Sequence, residues 1–171
     1  RKEMGVRTVF NMLGPLTNPA GAKCQIIGVF AAELTEPFAH VLRLLGSKHA
    51  FIVHGHDGMD EMTTTTATRV SELAAGQVKT YDFDPLELLE DYAAPEDLAG
   101  GDAETNAAIT RAILAGQPGA PRDIVCLNAA AAIVVGGKAV NLKEGFAKAQ
   151  EAIDSGGALK ALEMLVEVTN R

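Results

Sequence analysis

Two adjacent carboxylates, Asp60 and Glu61, close the segment His54-Gly55-His56-Asp57-Gly58-Met59-Asp60-Glu61. If both face one cleft about 6 Å apart, their repulsion is on the order of 3 kcal/mol at an effective dielectric near 20. A divalent cation relieves that repulsion, and hard oxygen ligands suit Mg²⁺, especially one shared with substrate phosphates. The same dipeptide also reads as two solvated loop acids. His54 and His56 could exchange protons near neutral pH, or serve only structure. The hydroxyls of Thr63, Thr64, Thr65 and Thr66 could face a phosphate, although four β-branched residues in a row more simply make a strand. Gly14-Pro15 and Asn18-Pro19 can aim backbone N–H groups at an anion or merely turn the chain. Arg1 and Arg7 could grip a carboxylate in bidentate fashion. Asn128 lies in an apolar run and must find partners for its amide within the core. No GxSxG, P-loop or GxGxxG sequence occurs.

The elements that must position these groups follow from apolar periodicity. Residues 25–30 and 50–54 read as buried strands on either side of a helix over 35–45, with Thr35 as its N-cap and Gly46 just past its end. Such a βαβ unit predicts a parallel pair with a right-handed crossover. It puts residues 54–62 at the carboxyl end of a strand, the edge where open α/β sheets bind ligands. Residues 70–73 and 78–83 read as an antiparallel hairpin around Ala75-Gly76. Residues 84–101 form a surface excursion with one short helix. Helices follow over 103–115, capped by Asp102, and over 122–135, apolar on nearly every side. Asn141 to Glu144 resembles a capping box opening a third helix, and a fourth runs to the terminus. The expected fold class is α/β: a central, mostly parallel sheet flanked by helices, with an antiparallel hairpin, in one unit spanning residues 1–171.

Composition narrows the class. The 171 residues are 47% hydrophobic and 22% charged, the balance of a soluble globular domain. No apolar run reaches the roughly 18 residues of a membrane span. A net charge of −7 argues against nucleic acid as a partner. Cys24 and Cys126 stand far apart with no CxxC motif, so both read as buried, inert thiols in a reducing, cytoplasmic setting. The chain opens at Arg1 rather than at Met, in mid-pattern, as expected of a piece of a longer protein.

The stretch Arg1-Lys2-Glu3-Met4-Gly5-Val6-Arg7-Thr8-Val9-Phe10-Asn11-Met12-Leu13-Gly14-Pro15-Leu16-Thr17-Asn18-Pro19 resembles a signature of the anthranilate phosphoribosyltransferases. The segment 54–61 resembles a second signature, and Leu127-Asn128-Ala129-Ala130 a third, helical one. The likeness covers nearly the whole chain. It implies transfer of the ribosyl 5-phosphate of phosphoribosyl pyrophosphate to the amine of anthranilate, with release of pyrophosphate, in tryptophan biosynthesis. It implies Mg²⁺ as cofactor, held by Asp60 and Glu61, and an anthranilate subsite made by Arg1, Gly14 and Pro15. No protein nucleophile is required. It further implies that this chain is the carboxyl-terminal portion of the enzyme. The helical N-terminal region, the first strand or strands and the glycine-rich phosphate loop would lie upstream of Arg1. The intact enzyme is then expected to be a cytoplasmic homodimer, and the chain alone to be inert. The competing readings are a pyrimidine nucleoside phosphorylase-like enzyme and a non-catalytic homologue that binds polyanions or nucleic acid.

Overall fold

The computed structural model describes residues 10–171. Its first helix, α1 (Phe10–Leu16), contains Pro15. The chain then enters β1 (Cys24–Gly28), α2 (Thr35–Leu44) and β2 (His49–Gly55). β1 and β2 are parallel, in register from Cys24 opposite His49 to Gly28 opposite Val53. β3 (Thr68–Ala74) and β4 (Gln77–Phe83) complete a four-stranded sheet in the order β1-β2-β3-β4. The expected α/β class and hairpin are present. The sheet, however, is not mostly parallel among the described residues: β2 to β3 and β3 to β4 both pair antiparallel. For β3 and β4 the connection dictates this, because a parallel neighbour needs a long crossover and these strands are joined by two residues. Those two, Ala75 and Gly76, have φ values of 49° and 77°, the positive pair that a primed hairpin turn demands.

β2 is apolar without alternation because it is covered on both faces. Ala50 and Ile52 pack with Phe38, Ala39 and Leu42 of α2. Phe51 and Val53 pack on the opposite face with the residues of α4 (Ala120–Val135) and α5 (Leu142–Asp154). Each of the larger side chains, Phe51, Ile52 and Val53, contributes about 1.5–3 kcal/mol on burial. α4 is the packed helix its sequence predicts, with Ile124, Cys126, Leu127, Ala130, Ala131, Val134 and Val135 all buried. α5 crosses it closely: a Cβ on Gly145 would sit 2.7 Å from the Ala130 carbonyl oxygen. α3 (Ala103–Leu114) and α6 (Gly157–Thr169) complete the helical side.

Local end signals hold in most places. Asp102 accepts a 2.8 Å hydrogen bond from the Thr105 N–H at the start of α3. Asn141 accepts one from Glu144 N, while the Glu144 carboxylate reaches back to Val140 N. At the end of α2 the Gly46 N–H bonds to Arg43 O and Ser47 N–H to Leu42 O, with Gly46 at φ 78°.

Four further expectations fail. Thr35 is not an N-cap, because the chain enters α2 from a 3₁₀ turn over Ala32–Leu34. Its hydroxyl instead donates to Ala32 O and accepts from Ser71 Oγ on β3. The threonine run is not a strand: residues 62–67 are irregular and β3 begins only at Thr68. Two 3₁₀ turns, Pro85–Glu87 and Pro95–Leu98, replace one short helix in the excursion. Cys126 is buried as expected, but Cys24 is exposed, since β1 is an edge strand and Cys24 is its first residue.

Candidate functional site

The loop after β2 is built by its glycines and by Asp57. Gly55 N–H bonds to Met59 O at 2.8 Å and Gly58 N–H to Gly55 O at 2.9 Å, folding the chain back on itself. Gly58 takes φ 95°, a conformation that disfavours a side chain. The Asp57 carboxylate gathers the Met59 N–H at 3.0 Å and the hydroxyls of Thr63 and Thr65 at 2.6 and 2.5 Å. Burial opposes its ionisation, but the bonds from Thr63, Thr65 and Met59 outweigh burial and hold its carboxyl below the usual range. Thr63 and Thr65 thus spend their hydroxyls inside the loop. Such side-chain bonding competes with strand pairing, which is why this β-branched run does not extend β3.

Asp60 and Glu61 follow on this scaffold, at the carboxyl ends of β1 and β2. The backbone of Asp60 lies across the end of β1, where a Cβ on Gly28 would come within 1.5 Å of the Asp60 carbonyl oxygen. Asp60 is exposed and Glu61 half-buried. Burial first, then the charges of Asp60 and Asp57, push the Glu61 carboxyl above its ordinary value. Burial is the larger influence, and the neighbouring negative charges add to it.

Met62, the next residue, is fully buried in the core under α4. Its N–H donates to Asn128 Oδ1 at 3.0 Å, and its carbonyl accepts from Asn128 Nδ2 at 2.8 Å. Asn128 Nδ2 also donates to Ile124 O at 3.0 Å within α4. The amide that had to find partners therefore pairs with the loop backbone. Losing it would leave buried groups of Met62 unpaired at about 1–3 kcal/mol each.

The two histidines are tied to structure. His54 Nδ1 is 2.7 Å from Val29 O, an acceptor only, so Nδ1 carries the proton. His56 Nε2 is 3.2 Å from Asp82 Oδ1 on β4. Gly14 and Pro15 lie on α1. A Cβ on Gly14 would face open space, and Pro15 lines a hollow of about 170 Å³ with Lys23, Leu42 and Ser47. None of the described hydrogen bonds or ion pairs joins Gly14 or Pro15 to Asp60 or Glu61. Arg1 and Arg7 lie outside the described residues. The contact of Gly28 with Asp60 and the pairing of Asn128 with Met62 are not legible in the residue order. The one usable signal there is an amide stranded in an apolar helix.

The donor set fits magnesium. Mg²⁺ favours about six oxygens, often one or two carboxylates with substrate phosphates and water supplying the rest. Among the described residues no group of three or more His, Cys, Asp or Glu is gathered to hold a metal alone. Asp60 and Glu61 would take two positions of a shared ion. No helix among these residues is long and apolar enough to cross a membrane.

Residues 1–159 match the family described as "Glycosyl transferase family, a/b domain". The chain is 58% identical over 170 residues to the anthranilate phosphoribosyltransferase of Desulfosudis oleivorans, an alignment covering 99% of this chain and 50% of that protein. It superposes on the crystal structure of the Thermus thermophilus enzyme of the same name with a TM-score of 0.88 and 43% identity, over 100% of this chain and 50% of that one. The Saccharomyces cerevisiae enzyme in complex with PRPP and Mg is 34% identical with a TM-score of 0.82, over 95% and 47% of the two chains. The chain spans about half the length of the relatives it matches.

Proposed function

Because the chain belongs to the glycosyl transferase family, a/b domain, we propose that it is the carboxyl-terminal α/β portion of an anthranilate phosphoribosyltransferase acting in tryptophan biosynthesis. The observation that carries this reading is the acidic pair at the strand ends, on a scaffold shared with enzymes of that name. In the reaction the anthranilate nitrogen bonds to the anomeric carbon of phosphoribosyl pyrophosphate. The bond from that carbon to the pyrophosphate oxygen breaks, and the amine releases a proton. Pyrophosphate leaves with the bonding pair. Asp60 and Glu61 hold the metal, which when bound neutralises the charge of the departing pyrophosphate.

Arg1, Gly14 and Pro15 form the anthranilate subsite in this reading, on the strength of the first sequence signature. The Arg1 fork suits a carboxylate, and a Cβ at Gly14 would meet nothing within 4 Å. The amine and the pyrophosphate lie on opposite sides of the anomeric carbon, so the two sets of residues need not touch. Positioning supplies much of the acceleration, since the aromatic amine is already uncharged.

In the same reading the intact enzyme is a cytoplasmic homodimer, and the exposed thiol of Cys24 stays reduced there. The upstream half supplies the glycine-rich phosphate loop, so the 171-residue chain alone is inert. The test follows anthranilate fluorescence with phosphoribosyl pyrophosphate and Mg²⁺ present. The full-length enzyme consumes anthranilate with stoichiometric pyrophosphate release, and the chain alone does not. Absence of turnover by the full-length enzyme would refute the assignment, and turnover by the chain alone would refute the need for the upstream half.

A further inference from the structure

Just past the acidic pair, the side chain of Asn128 ties the segment to α4. Asn128 faces Met62 with its carboxamide and satisfies both the N–H and the carbonyl of that residue, as a neighbouring strand would. The carboxamide is itself oriented by a third bond, from Nδ2 to Ile124 O in its own helix. Met62 is wholly buried, so its side chain and its backbone are both fixed to α4. Glu61 is one residue from this anchor and Asp60 two. Asp60 and Glu61 are adjacent like charges that repel one another, so their carboxylates separate as far as the backbone allows. Asn128 removes that freedom at the point nearest Glu61.

We infer that Asn128 is a positioning residue for the metal-binding pair, setting the separation of the Asp60 and Glu61 carboxylates through the backbone of Met62 without touching metal or substrate. The inference rests on the reading of Asp60 and Glu61 as metal ligands and adds a residue that acts through them. Groups that orient metal ligands typically change metal affinity by about 10–100-fold when removed.

The experiment measures Mn²⁺ binding by electron paramagnetic resonance in the presence of pyrophosphate, on the full-length enzyme and its variants. Asn128→Leu keeps the branched outline of the side chain and removes all three bonds. Asn128→Asp keeps the acceptor for Met62 N–H and removes the donor to Met62 O, so it serves if the leucine variant does not fold. Asp60→Asn and Glu61→Gln report on the ligands themselves. The expected result is Mn²⁺ affinity lower by about ten-fold or more in the Asn128 variants, a lowered kcat at fixed Mg²⁺ that added Mg²⁺ restores, and an anthranilate KM within two-fold of the parent. A folded Asn128 variant with unchanged Mn²⁺ affinity, beside weakened Asp60→Asn and Glu61→Gln, overturns the positioning role and leaves the ligand assignment standing. Unchanged affinity in Asp60→Asn and Glu61→Gln overturns the ligand assignment and the inference with it.

Discussion

Gly28 and Asp60 are in backbone-to-backbone contact: a β-carbon at Gly28 would lie 1.5 Å from the Asp60 carbonyl oxygen and 2.5 Å from its carbonyl carbon. The end of β1 therefore has to be glycine for the acidic loop to rest on it. Neither partner can swing aside as a side-chain tip would. Gly28→Ala should cost about 1–3 kcal/mol by overpacking, a fall of roughly 2–4 °C in Tm per kcal/mol. It should also raise the Mg²⁺ concentration at half-maximal rate, because the shift is forced onto Asp60. Calorimetry and a Mg²⁺ titration of the full-length variant check both, and an unaltered Mg²⁺ curve would separate the packing role from the site.

Gly145 supplies the control. Its close approach to Ala130 is also backbone to backbone, with the Ala130 oxygen 2.7 Å from the position of a Cβ, but it joins α5 to α4 rather than to the backbone of Asp60. Gly145→Ala should lower Tm by an amount similar to Gly28→Ala, about 1–3 kcal/mol, while leaving the Mg²⁺ dependence of the rate where it was.

Asp57 makes the loop sensitive to acid. Its carboxyl is held below the ordinary value of about 3.9 by the bonds from Thr63, Thr65 and Met59, which outweigh the opposing effect of burial. A carboxyl depressed in the folded state stabilises fully above its ordinary value. That stability is lost as pH falls through the depressed value. Asp57→Asn should therefore lower Tm at pH 7 and flatten the Tm profile below about pH 4. Parallel acid limbs in parent and variant would show that the three bonds contribute no linkage.

Much of this architecture could be read from residue order, and the exceptions share a cause. β2 was legible because burial on both faces removes alternation, and the hairpin because Ala75-Gly76 can take two positive φ angles. Asp102 and Asn141 were legible because a cap acts within three residues. Thr35 and the run from Thr63 to Thr66 misled because a hydroxyl chooses its partner from the tertiary surroundings. Thr35 pairs with Ser71 on another element, and Thr63 and Thr65 turn to Asp57. Asp60-Glu61 is visible as a dipeptide, but what holds it is not. Gly28 acts through a contact with a distant loop, and Asn128 meets Met62 across 66 residues of chain. Local periodicity carries no record of such contacts.

The two substrates should respond to different residues. Arg1→Ala in the full-length enzyme should raise the anthranilate KM by about ten-fold or more, the scale of losing a charge-assisted hydrogen bond of about 1.5–3 kcal/mol. The Mg²⁺ dependence should stay unchanged. Initial-rate kinetics with each substrate varied in turn check this, and equal effects on both substrates would count against an anthranilate-specific role.

The most direct test of the site is the Mg²⁺ dependence of pyrophosphate release by the full-length enzyme beside its Asp60→Asn and Glu61→Gln variants, with anthranilate saturating. Loss of either ligand should move the half-saturating Mg²⁺ concentration upward by on the order of 10–100-fold and leave the anthranilate KM within two-fold. Mg²⁺ curves that superimpose on that of the parent enzyme in both variants would contradict the assignment of Asp60 and Glu61 as the ligands that hold the metal on pyrophosphate.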